Sequence, residues 1–149
     1  MEIRDAKLED AESISALINR VAHFFTLDPK GKGAERFLES ISPEAIRSYV
    51  SSDDYDYIVA LGSNNIVGVA AMKDGTHLFH LFVAPEYQKK GLSILLWNTI
   101  QNITKSGKKE FTVNSTPYAV PVYEKFGFVA SGTRTEKNGV AFVPMKKTG

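Results

Sequence analysis

His77-Leu78-Phe79-His80-Leu81-Phe82-Val83 is a β-rich run, and Phe111–Asn114 is another. Between them, Gly91 to Lys105 repeats Leu92, Leu95, Leu96, Ile100 and Ile103 at helical spacing, with Gly107 placed to cap the helix. Strand, helix and strand in that order predict a βαβ unit with parallel strands and a right-handed crossover. Upstream, Tyr57–Leu61 and Ile66–Met72 are short strands joined through Gly62-Ser63-Asn64-Asn65, and Asp74-Gly75 leads into His77. These three strands read as an antiparallel meander. The first third reads as helix, with Leu8, Ala11, Ile14, Leu17, Ile18, Val21 and Phe25 on one face. A second piece covers Ala34 to Glu39, and Ser42-Pro43 opens a third that runs to about Val50. Downstream, Val120–Phe126 is a short helix ended by Gly127, Phe128–Thr133 a strand, and Asn138-Gly139 a turn into the last strand, Val140–Met145. Pro144 lacks an N–H, so the end of that strand should lie on an edge or be partly paired. The predicted class is α/β (α+β): a mixed, mainly antiparallel sheet with one parallel βαβ unit and helices on both faces.

The 149 residues fit one domain spanning positions 1–149. A net charge of +1 offers no basic field, so no nucleic-acid partner is expected. No run approaches the ~20 apolar residues of a membrane span, and the charged start lacks a signal peptide's apolar stretch, so the expectation is a cytoplasmic chain without a membrane partner. The absence of Cys removes thiolate metal sites and a cysteine nucleophile. His77 and His80, three apart on a strand, point to opposite faces, so no metal site is expected.

The loop Ala84-Pro85-Glu86-Tyr87-Gln88-Lys89-Lys90-Gly91-Leu92-Ser93 places Gly91 and Ser93 at the first turn of a helix that follows a strand. Free N–H groups and the helix dipole there suit an anion, and small side chains let a phosphate approach the backbone. Lys89 and Lys90 add charge. The alternative is an ordinary strand–loop–helix with a solvated basic tip. Two other phosphate signatures, Gly-x-x-x-x-Gly-Lys-Ser/Thr and Gly-x-Gly-x-x-Gly, are missing, and Leu95 stands where a nucleophile elbow needs its second Gly.

The run Leu81 to Ser93 resembles the acetyl-CoA motif of the GCN5-related N-acetyltransferases: an apolar-x-Val-x-Pro strand end, then Arg/Gln-x-x-Gly-x-Gly/Ala. Some forty residues later, Tyr123-Glu124-Lys125-Phe126-Gly127-Phe128 resembles that family's second signature, Tyr-Glu-Lys-x-Gly-Phe. The order of elements is similar across nearly the whole chain. The resemblance implies acetyl-CoA as cosubstrate, with no metal, and transfer of the acetyl group to a primary amine by direct attack in a ternary complex. Phe82 and Val83 would offer backbone groups to the pantetheine arm. Gln88, Lys89, Lys90, Gly91, Leu92 and Ser93 would wrap the pyrophosphate, and Tyr123 would sit beside the thioester sulfur. Many members carry Asn at the position of Thr116; here Asn114 is the candidate for that contact with the cofactor arm. His80 occupies a position that is frequently acidic in the family, which makes it a candidate base, beside a structural histidine and a water chain as alternatives. The acceptor would be a small-molecule or peptide amine, walled by the first third and the last hairpin. The Gly31/Gly33 loop beside Phe24 and Phe25 reads as a plain surface turn or a mobile lid, and Asp53, Asp54 and Asp56 as solvated acids or as an attraction for a cationic amine. A homodimer is left open. The other functional reading is a non-catalytic acyl-CoA-binding sensor or interaction module on the same fold, motivated by the missing strand carboxylate.

Overall fold

The structure is a computed structural model that describes residues 1–103 and 110–148. Along the chain run β1 (Glu2–Asp5), α1 (Ala11–Val21), α2 (Glu35–Ser40), α3 (Pro43–Ser51), β2 (Tyr55–Gly62), β3 (Asn65–Lys73) and β4 (His77–Val83). There follow α4 (Leu92–Ile103), β5 (Glu110–Ser115), α5 (Val120–Lys125), β6 (Val129–Ala130), β7 (Thr135–Lys137) and β8 (Val140–Thr148). The sheet order is β1-β2-β3-β4-β5-β8-β6, with β7 attached to β8. The β4–β5 pairing is parallel and the others are antiparallel, so the sheet is of the predicted class.

Local chemistry accounts for the meander. Ser63 and Asn64 take φ of 52° and 68°, and Asp74 and Gly75 take 53° and 71°, the left-handed backbone that tight hairpin turns require. Ser42 Oγ accepts the Ala45 N–H at 3.2 Å, with Pro43 opening α3 behind it. The apolar stripe of α1 buries Ile14, Leu17, Ile18 and Val21 against α3, β3 and β4. On the other face Leu92 and Leu96 of α4 lie against Gly68 of β3. Trp97 of α4 is fully buried and meets Phe111, Phe126 and Phe128 at ring-centroid distances of 5.4, 6.2 and 5.3 Å, which joins α4 to β5 and to the end of α5. Among the described residues no helix is long and apolar enough to cross a membrane.

The structure differs from the sequence reading in four places, and a further reading lies outside the described residues. β1 was read as a charged chain start; its charged residues suit an edge strand, and it pairs with β2 over Glu2 to Asp5. Leu95 and Ile103 are exposed rather than on the buried face of α4, where Trp97 takes their place. The predicted helix end at Lys105 and cap at Gly107 lie outside the described residues. The strand predicted from Phe128 to Thr133 is reduced to Val129–Ala130, because Phe128 is drawn into the Trp97 layer. Finally, β8 is interior, between β5 and β6, so the edge alternative fails at Pro144 and the partly paired one holds. Pro144 fits there because its carbonyl accepts the Ser131 N–H at 2.8 Å. A strand residue's N and C=O point the same way, so its missing donor faces the gap where β6 gives way to β7, and not β5.

Candidate active site

β4 and β5 pair at two positions, His77 with Thr112 and Leu78 with Val113, yet β4 continues to Val83 and β5 to Ser115. Beyond those pairs the strands share no ladder, and a cavity of about 630 Å³ opens between them. Leu81, Phe82 and Val83 border it from β4, and Asn114 and Thr116 from the β5 side. The Ala84 N–H donates to Val67 of β3 at 2.8 Å. Alternation along the strand then turns the main-chain groups of Phe82 toward β3 and those of Leu81 and Val83 toward the cleft. Of the two residues expected to offer backbone groups, Val83 faces the cleft and Phe82 contributes its ring instead. The Val83 carbonyl is held by Gln88 Nε2 at 3.0 Å, so Gln88 acts through its side chain to shape the loop.

After a short 3₁₀ turn at Pro85–Tyr87, Lys89 and Gly91 take φ of 62° and 81°. Two left-handed residues flanking Lys90 fold the main chain into a concave run of N–H groups. Among the described residues, the N–H groups of Lys89, Lys90, Gly91, Leu92, Ser93 and Ile94 have no protein acceptor, and no side chain caps α4. Gln88, Lys89 and Ser93 border the cavity. Lys90 Nζ lies 5.9 Å from the centre of the Tyr87 ring.

Tyr123 stands on α5 at the other wall, 8% exposed. Phe126 and Phe128 hold its ring edge-on at 5.8 Å each, and Trp97 backs both of them. Its hydroxyl has no hydrogen-bond partner among the described residues, yet no buried side-chain polar atom is left unsatisfied, so the hydroxyl opens to the cavity. Burial raises its pKa above the ordinary tyrosine value. Asn114 also borders the cavity, its side chain without a hydrogen-bond partner among the described residues, whereas Thr116 Oγ1 accepts the Ala119 N–H at 3.3 Å as a local cap.

His80 lies in the cavity wall at 6% exposure, with Nδ1 hydrogen-bonded to the Tyr57 hydroxyl at 2.8 Å and the Phe79 ring stacked at 4.2 Å. Burial lowers its pKa to about 3. Taking a proton from a lysine-like ammonium would then be on the order of 10 kcal/mol uphill. Its surroundings therefore suit a neutral structural ring and not the base considered from the sequence. His77 is elsewhere, bonded to Thr112 Oγ1 at 2.8 Å. The remaining wall is aromatic: Phe24, Phe25, Phe37, Tyr49, Tyr55, Phe79 and Phe142. Thr26 bridges to Val140 and the Leu27 N–H donates to Gly139 at 2.8 Å, so the chain after α1 is fastened to the β7–β8 turn.

A family model described as an acetyltransferase (GNAT) domain matches residues 25–149. The chain belongs to the GNAT acetyltransferase family. No curated protein sequence matches it. Among solved structures it is similar to the PaiA N-acetyltransferase of Thermoplasma acidophilum in complex with coenzyme A, at 21% identity and TM-score 0.80, over 99% of this chain and 98% of that one. It is also similar to an aminoglycoside 6'-N-acetyltransferase complexed with coenzyme A, at 16% identity and TM-score 0.74, over 99% and 97% of the two chains. A spermidine N-acetyltransferase variant from Vibrio cholerae matches at 20% identity and TM-score 0.70, over 99% and 95%. At these identities the likenesses establish the fold.

Within this GNAT domain the loop, Val83, Asn114 and Tyr123 border one cavity. The sequence reading left out Phe37, Tyr49, Tyr55, Phe79 and Phe142 as cavity residues. Each looks like an ordinary packing residue in its own segment, and no local spacing links α2, α3, β2, β4 and β8.

Proposed function

We propose that the protein is an acetyl-CoA-dependent N-acetyltransferase that acetylates a primary amine by direct attack within a ternary complex. One observation carries the reading: six consecutive unpaired N–H groups, Lys89 to Ile94, lie beside a cavity whose opposite wall presents the unpartnered phenol of Tyr123. The N–H run suits a pyrophosphate, with Lys89 and Lys90 adding charge and the Val83 N–H reaching a pantetheine-like arm. The cosubstrate supplies an activated acetyl thioester: the amine nitrogen bonds its carbonyl carbon, the C–S bond breaks, and the sulfur leaves with the electron pair. The nitrogen gives up one proton to solvent and the thiolate takes one from solvent, so the products are the acetamide and the free thiol.

Tyr123 O–H is placed to donate a hydrogen bond to that departing sulfur. Burial keeps the phenol protonated, and full transfer to a thiolate near ~8.5 is uphill by at least roughly 2 kcal/mol, so the residue acts by stabilising developing charge. The amine must be neutral to attack. Desolvation against the aromatic wall disfavours the ammonium form, which releases its proton to solvent without a side-chain base.

The inert environment of His80 also favours the second reading, an acyl-CoA-binding module. A thiol-release assay over a panel of amines, run beside calorimetry with coenzyme A, separates the two. The transferase reading expects turnover, and expects Tyr123→Phe to lower kcat roughly a hundredfold with the affinity for coenzyme A unchanged. Binding without turnover on any amine would leave the module; no binding would remove both.

A further inference from the structure

The two ends of the cavity differ in charge. At the loop end Lys89 is cationic. At the far end Phe24, Phe37, Tyr49, Tyr55, Phe79 and Phe142 form the wall, and no Asp or Glu borders the cavity among the described residues. Three of these rings touch one another: Tyr49 meets Tyr55 at 5.0 Å and Phe79 at 4.9 Å, and Tyr55 meets Phe79 at 5.1 Å. Two of the polar atoms here are engaged: the Tyr49 hydroxyl donates to the Ser40 carbonyl at 2.8 Å, and His80 Nδ1 is tied to the Tyr57 hydroxyl at 2.8 Å. An adjoining pocket of about 240 Å³ shares Phe24 and Tyr118 and adds Arg134, again with no carboxylate in its lining. The acids Asp53, Asp54 and Asp56 are not among the lining residues.

A polyamine or an aminoglycoside carries several ammonium groups; a ring face can hold one of them, but enclosing the rest needs carboxylates or an equivalent array of acceptors. This cavity offers them rings instead. A flat apolar body gains from such a wall by edge and face contacts, and one primary amine then suffices to reach the acetyl group. We infer that the acceptor is a monoamine borne on an aromatic or otherwise apolar body, and not a polycation. The inference rests on the acetyltransferase reading above and specifies its acceptor.

The test compares kcat/KM for 2-phenylethylamine and tryptamine with that for spermidine and kanamycin, using acetyl-CoA and the full chain, with calorimetry on coenzyme A alongside. The aromatic monoamines are expected to be better by at least about a hundredfold. Equal or better turnover of spermidine or kanamycin would overturn the inference and leave the acetyltransferase reading intact. Coenzyme A binding with no amine turned over would overturn it and favour the binding module, while failure to bind coenzyme A would remove the parent reading as well. A second variant reads the wall directly. Phe24 is 51% exposed at the mouth, so Phe24→Asp is compatible with folding. It is expected to raise KM for 2-phenylethylamine about tenfold and to lower KM for spermidine. Movement of both in the same direction, or of neither, would count against the inference.

Discussion

The loop end and the aromatic end of this cavity are built in opposite ways. The loop end comes from one contiguous segment, Gln88 to Ile94, and acts through main-chain N–H groups. The aromatic end draws single side chains from positions as distant as Phe24 and Phe142 and acts through their surfaces. A diphosphate common to every acyl donor can be met by backbone geometry, which needs only the right φ angles. An acceptor that differs from enzyme to enzyme must be met by side chains, which can vary without disturbing the loop. The difference teaches that the two specificities can be damaged separately.

The largest expected separation comes from Gly91→Val. A Cβ there meets nothing within 4 Å, so the substitution acts through φ of 81° alone, which a β-branched residue does not tolerate. We expect the affinity for coenzyme A to fall roughly a hundredfold by calorimetry, with the melting temperature little changed, because several N–H donors lose their aim. Gly139→Ala attacks the other end. Its Cβ would sit 2.6 Å from the Gly33 carbonyl at φ of 76°, forcing the β7–β8 turn off the chain that follows α1. The expected result is about a tenfold rise in acceptor KM with coenzyme A affinity retained. An equal loss of both affinities in either variant would show that the ends are coupled.

Smaller effects sharpen the comparison through α1, which is followed by the wall residues Phe24 and Phe25. Asp10, ahead of α1, accepts the Arg4 guanidinium at 2.8 and 3.1 Å and the Lys7 N–H at 2.7 Å. The Arg4 hydrogen bonds, then the Lys7 N–H, hold its pKa below the ordinary value of 3.8. Its contribution to stability is therefore complete above that value and is lost as pH falls through the lower, folded-state pKa. Asp10→Asn is expected to cost about 1–2 kcal/mol at pH 7 in urea unfolding, and the gap to the parent should narrow below about pH 4. The smallest effect belongs to Arg20 and Glu86, whose 2.8 Å ion pair connects the end of α1 to the phosphate loop with both side chains half exposed. A double-mutant cycle should return a coupling close to zero that disappears in high salt. A larger coupling would mean that the ends communicate through this pair.

How much could be read in advance follows the same division. The meander, the βαβ unit and the loop before α4 were legible because Asp74-Gly75, the Leu92/Leu96 spacing and Gly91 are local signals that neighbours in sequence can express. β1 was not: four residues with charges on both sides carry no strand pattern, and only pairing with β2 makes them one. Leu95 and Trp97 were mis-weighed because helical periodicity marks an apolar stripe but not its limits, which the Phe111–Phe126–Phe128 layer sets. His80 shows the limit most sharply. Its type and position suggested a base, while complete enclosure beside Tyr57 and Phe79 moves its pKa to about 3.

The amino-acid sequence alone determined where the meander turns, where the βαβ unit lies, and that small residues stand at the first turn of α4. These depend on torsional preferences and short-range periodicity, which the chain carries with it before it folds. Tertiary structure alone decided which rings line the cavity, that the Tyr123 hydroxyl is left open to it, and that burial lowers the pKa of His80. Burial and electrostatic environment are properties of what surrounds a group, and those surroundings come from segments far apart along the chain.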